Sequence, residues 1–189
     1  EELLKQFKKS EKPGATQIGF TFDGDTFDAN GVDLQIVARE LNYLEQSPFI
    51  WHRRDGLLTL GCGEGSDGIE RILAIQGDTL YAIWRRKSGE RQEWFQAREY
   101  ACDDPFAAGE ELAAKHANGA LAAKGRGWHT AAASDGQKQW LARLAKGSLK
   151  RSEIELLTRG RAAELITHYQ AVQAIRRYEA AMELRETAA

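Results

Sequence analysis

From Ile50 to Phe95 apolar residues fall in runs too short for helices, whereas over 32–44 before it and beyond Pro105 they recur every three or four positions. Ile50 to His52, Leu57 to Leu60, Ile72 to Ile75, Leu80 to Trp84 and Glu93 to Phe95 are predicted strands. Asp55-Gly56, Gly61 to Gly68, Gly77-Asp78 and Ser88-Gly89 separate them, and the last two suit hairpin turns, so an antiparallel meander is expected. Upstream, Ile18, Phe20 and Phe22 alternate with polar neighbours and lead into Asp23-Gly24, which predicts a strand and a turn. Leu34, Val37, Leu41 and Leu44 share one face of a helix expected over residues 32–44. A shorter helical pattern, Leu3, Leu4 and Phe7, stops before Lys12, Pro13 and Gly14.

After Asp103, Asp104 and Pro105 the chain turns alanine-rich, predicting a helix from Phe106 to His116 capped by one of the aspartates. Residues 118–130 read as a glycine-rich connector. Three helix starts then follow within 134–169. Ser134 and Gln137 have capping-box spacing ahead of Trp140, Leu141 and Leu144. A second start is expected at Ser152 with Glu155, and a third at Thr158, before Gly160, Ala162, Ala163, Leu165, Ile166 and Tyr169. Val172, Ile175 and Met182 carry the last helix to about Arg185, with Arg176 and Arg177 in solvent. The expected class is α+β: a small antiparallel sheet with an early helix, followed by a helical C-terminal module. The expected segments are 1–116, an accessory domain with the meander; 117–133, the connector; and 134–189, the helical module.

With 42% apolar and 29% charged residues, the 189-residue chain has the composition of a globular protein. No apolar run approaches the roughly 20 residues that cross a bilayer, and the opening EELLKQFKK is too charged for a secretory leader. No membrane partner is expected, and the cytosol is the default location. The start at Glu1 rather than Met suggests a longer parent protein. Cys62 and Cys102 lack CxxC partners, so neither a disulfide framework nor a zinc knuckle is indicated. Net charge is −2, but unevenly spread: 13 basic against 20 acidic residues in 1–110, and 10 against 3 in 115–161. Such asymmetry can place a basic face on an acidic protein.

Chemistry is sparse. Gly63, Gly65 and Gly68 mimic a phosphate-loop spacing, but no lysine or helix start follows, so a hairpin loop is the better reading. His52, His116, His129 and His168 show no HExxH or Cys/His spacing. Asp23, Asp25 and Asp28 lack the glycine and terminal glutamate of a calcium loop. No catalytic residue, metal or cofactor is assigned. The aromatic-basic block of Trp51 to Arg54, Trp84 to Lys87, Arg91 and Trp94 has two readings: a platform for single-stranded bases, or core tryptophans ending at charged hairpin tips. Asp55, Glu90 and Glu93 favour the second. In the helical module Lys138, Arg143, Lys146, Lys150, Arg151, Arg159 and Arg161 form the candidate nucleic-acid-binding set. Thr158 and the free N–H groups opening the last helix join them, since helix N-termini attract anions. A solvated helical face is the alternative.

The order DPF at Asp104 to Phe106, Gly127-Trp128, SDGQKQWLARL from Ser134 and LTRGRAAELI from Leu157 resembles the C-terminal tail of bacterial and phage DEAD/DEAH-box helicases. The matching residues are Ala133, Ser134, Gln137, Leu141 and Leu144, then Leu157, Thr158, Gly160, Ala162, Leu165 and Ile166, with Ala163 where the family often has serine. The resemblance implies an accessory region of a DNA-processing protein. Its partners would be DNA, single strands included, and a helicase motor or other subunits of a nucleoprotein complex. It brings no ATPase, because neither a phosphate-binding lysine loop nor a DE-rich Walker B strand is present. The alternative is a protein-interaction module that docks onto a motor through its acidic, β-rich half.

Overall fold

A computed structural model describes residues 19–22, 25–28, 42–88, 91–92, 94–124 and 127–187. The short helical pattern at Leu3, Leu4 and Phe7, and most of the helix expected over 32–44, lie outside them. The chain divides into two compact units, 1–42 and 43–189. In the first, β1 (Gly19–Phe22) and β2 (Asp25–Asp28) form an antiparallel hairpin that pairs Phe20 with Phe27 and Phe22 with Asp25.

The second unit contains a sheet built from β3 (His52–Arg54), β4 (Leu57–Glu64), β5 (Ile69–Gln76), β6 (Thr79–Ser88), β7 (Arg91–Gln92) and β8 (Gln96–Tyr100). It is antiparallel, in the order β3-β4-β5-β6, with β7 pairing Lys87–Ser88 and β8 pairing Leu80–Trp84 of β6. The expected meander is therefore present. The β3–β4 turn is Asp55-Gly56, with φ of 49° and 74°. Positive φ at both central residues matches the strand twist, and Asp-Gly adopts it at low cost.

Helices α1 (Pro105–His116), α2 (Gly119–Ala122), α3 (Asp135–Ala145), α4 (Arg151–Glu155) and α5 (Arg159–Thr187) follow, with a 3₁₀ turn at Gly127–Thr130. The fold is thus α+β. Asp104 caps α1 by accepting from Phe106 N at 2.9 Å and Ala107 N at 3.3 Å. The capping box at Ser134 and Gln137 opens α3 as expected. Helix α4 begins slightly earlier than Ser152: the Lys150 N–H donates to Glu153 Oε2 at 2.6 Å, a nearer acceptor than Glu155.

Strand alternation sends side chains to two faces, and both are covered. Leu58, Leu60, Leu73, Ile75 and Leu80 pack with Phe106 and Ala113 of α1 and with Trp51. On the other face Leu57, Ile72, Ala74, Tyr81 and Ile83 meet Ala171, Ala174 and Ile175 of α5. Burial on both sides explains why Leu57-Leu58-Thr59-Leu60 reads as a continuous buried run rather than an alternation. A third cluster, Leu141, Ile154 and Leu165, ties α3 and α4 to the first half of α5. One long helix thus serves the sheet and the helical module together.

The strand expected at Glu93 to Phe95 lies further on, at Gln96–Tyr100. Phe95 is buried as an anchor beneath the sheet and Trp94 is 70% exposed, so neither belongs to a ladder. The true edge strand, QAREY, is mostly exposed and carries almost no apolar signal, as edge strands often do.

Candidate functional site

The start of α5 is held tightly by the connector before α3. Ala132 and Thr158 form an isolated bridge, Ala133 N donates to Leu157 O at 3.0 Å, and Arg159 N donates to Ala131 O at 2.6 Å. Gln137 Nε2 reaches Arg159 O at 3.2 Å. Thr158 caps the helix as its sequence position suggests, its Oγ1 accepting from Arg161 N at 3.3 Å. Two of the N–H groups that open the helix are therefore already engaged within the protein. Gly160 lets the 3₁₀ turn approach: a Cβ there would sit 2.7 Å from His129 Nδ1 and 3.0 Å from the His129 carbonyl oxygen.

The candidate cations divide into two groups. Lys138 is bound to Glu155 at 2.6 Å, which links α3 to α4 and holds the Glu155 carboxyl below its ordinary range. Arg161 pairs with the buried Glu164 one turn along α5. Arg143, Lys146, Lys150, Arg151 and Arg159 remain exposed, close to the ends of α3, α4 and α5. Lys146 ends α3 in a left-handed conformation (φ 45°), where its charge also complements the helix C-terminus.

A cleft of about 250 Å³ lies beside these groups, lined by His52 and Gly61 of the sheet, by Trp128 and His129, and by Glu164 and Thr167 of α5. His52 Nδ1 is 3.4 Å from Glu164 Oε2, and His168 Nε2 is 3.5 Å from Asp55 Oδ2. Burial, then the nearby Arg161 and His129, push the His52 imidazole down to about 3, so it is neutral at physiological pH. Burial also lowers His129. Gly61 permits this close approach of strand to helix, since a Cβ would lie 3.1 Å from Thr167 Oγ1. Sequence reasoning missed the constellation. Its one readable signal was the spacing of Glu164 and His168, four residues apart and therefore on one helix face. Among the described residues no group of three or more His, Cys, Asp or Glu is arranged to hold a metal ion.

The aromatic-basic block splits between its two readings. Trp51 is core, its Nε1 donating to Glu110 at 3.2 Å, and Glu110 also accepts from Ser47 Oγ. Arg85 is buried, donates to Glu70 Oε2 through Nε at 2.7 Å and a terminal nitrogen at 2.6 Å, and covers the Phe95 ring at 4.5 Å. Trp94 is the exception, exposed with Arg177 at 4.4 Å over its ring.

A sheet closed on both faces by helices, with a helical module built on the start of its last helix, defines an α+β domain. Lys138, Arg161 and Arg85 form structural pairs within it. Residues 32–189 match the family described as the C-terminal domain of the mitochondrial helicase Irc3, and the chain belongs to that family. No curated protein and no solved structure matches it. Family membership makes this a helicase C-terminal accessory region, as the resemblance implied, but the match does not support a bacterial or phage attribution. It also corrects the expected cytosolic location: the family takes its description from a mitochondrial helicase, which points to the mitochondrion rather than the general cytoplasm. The cytosolic default rested only on the lack of a leader and of a membrane span. No described helix is long and apolar enough to cross a membrane, but that does not specify a compartment.

Proposed function

We propose that this helicase accessory region is non-catalytic and contacts a nucleic-acid backbone through Arg143, Lys146, Lys150, Arg151 and Arg159. The observation that carries the reading is the exposure of these five cations at the helix ends of a helicase-family domain. Lys138, Thr158 and Arg161 hold that surface in shape through Glu155, the α5 cap and Glu164. Nucleotide hydrolysis belongs to a motor outside residues 1–189. Binding is sequence-tolerant and salt-dependent, because each neutralised phosphate releases condensed counterions.

The test is fluorescence anisotropy with labelled duplex and single-stranded DNA over a salt series. The Lys150→Glu, Arg151→Glu, Arg159→Glu variant is expected to lose most of its affinity. Losing three phosphate contacts flattens the log–log salt slope by roughly 2 to 3. Unchanged affinity and slope in that variant would overturn the reading.

A further inference from the structure

Building on the nucleic-acid reading, we propose that Trp94, Arg177 and Trp140 frame a stacking slot for an unpaired base of a single strand. Of the helix-end cations, Arg143 lies one turn from the slot, on the same helix as Trp140. Trp94 and the buried Phe95 come from the segment before β8, Trp140 and Leu144 from α3, and Gln170 and Arg177 from α5. Its volume is about 120 Å³. Small-molecule sites are usually roughly 300–1,000 Å³, so one planar ring suits this space and an extended cofactor does not.

The chemistry of the walls favours a nucleobase. Trp94 is 70% exposed, and the Arg177 guanidinium lies 4.4 Å from its ring centre. Indole faces and guanidinium planes are the surfaces on which unpaired bases stack, and every base presents a π-face. Gln170 and Gln173 bring amides, which can both donate to and accept from base edges. The charge around the slot suits the attached phosphates. Arg85 is matched by Glu70, so the pair is neutral, while Arg177 of the slot and Arg143, one turn beyond Trp140, are exposed. The rim is therefore cationic. An apolar peptide anchor would use the same walls but would have no need of that rim.

The experiment measures the full chain against labelled oligo-dT, oligo-U and a duplex of equal length. Trp94 is mostly exposed, so its replacement spares the core; an unchanged melting temperature verifies this. Trp94→Ala is expected to weaken binding of oligo-dT, oligo-U or both by about 5- to 150-fold, the range of one base–aromatic stack. Trp94→Phe keeps most of the affinity and Trp94→Leu does not, because leucine supplies apolar area without a π-face. Duplex binding stays within twofold. Equal losses on duplex and single strands, or full affinity in Trp94→Leu, would overturn the slot. So would weakened docking to a helicase motor with oligonucleotide binding intact. If the triple charge reversal abolishes binding while Trp94→Ala changes nothing, the slot fails and the backbone reading stands. If the unaltered chain binds no nucleic acid, both fail.

Discussion

Gly160→Ala sets helix propensity against packing. Alanine is favoured over glycine within a helix by about 0.8–1.0 kcal/mol, so by propensity alone the change should stabilise α5. The structure predicts the opposite. The new methyl would sit 2.7 Å from His129 Nδ1, 3.0 Å from His129 Cβ and 3.0 Å from its carbonyl oxygen. The imidazole can rotate, but the carbonyl moves only with the backbone. That backbone is held near α5 by the Ala132–Thr158 bridge and the 2.6 Å bond from Arg159 N to Ala131 O. Because the carbonyl cannot give way, the overpacking cost falls in the upper part of the usual range, about 2–3 kcal/mol, leaving a net loss of about 1–2 kcal/mol. For a chain of this size that lowers the melting temperature by roughly 2–8 °C. Thermal unfolding followed by circular dichroism measures it directly. His129→Ala in the same chain should restore only part of the loss, because the carbonyl remains. A Gly160→Ala protein as stable as the parent, or more so, would refute the close-approach explanation of this glycine.

Two further predictions concern buried charge. Glu70→Ala strands Arg85, which is 8% exposed, and should cost about 3 kcal/mol, the low end of the range for a broken buried pair because Glu70 is partly solvated. Urea titration would show this, and Glu70→Leu with Arg85→Met should recover most of it; a loss below about 0.5 kcal/mol would place the pair among ordinary surface contacts. For His52, the folded imidazole is depressed to about 3 against an ordinary 6.5, so between those pH values the unfolded chain holds a proton that the folded chain lacks. Stability from this group is therefore present above pH 6.5 and lost on acidification, by up to about 1.4 kcal/mol per pH unit. His52→Gln removes that slope, and parallel stability–pH curves for the two proteins would contradict the neutral imidazole.

Much of the fold was legible because local chemistry determines it. Asp104 ahead of Pro105, the Ser134–Gln137 box and Thr158 each satisfy N–H groups within their own first turn, so three helix starts followed from neighbouring residues. The strand 96–100 was not legible, because an edge strand buries little and QAREY carries no alternation. The candidate site divides similarly. The cations were readable as a local excess, but their sorting was not: Lys138 meets Glu155 from 17 residues away, while Arg143 and Lys146 stay in solvent. Nothing near Trp94 in sequence distinguishes it from the buried Trp51, since Arg177 comes from the far half of the chain.

By itself the sequence determined the α+β class, the meander, the helix starts and the likeness to helicase C-terminal tails, all of which arise from periodicity, turn residues and caps within a few positions of one another. Tertiary structure alone decided that α5 closes the second face of the sheet, and that Gly61 and Gly160 are points of close approach. It also decided that Glu164 and His168 face the β3–β4 hairpin and that Trp94 stands beside Arg177. These relations join segments dozens of residues apart, and their free energy depends on which surfaces meet, which no local pattern encodes.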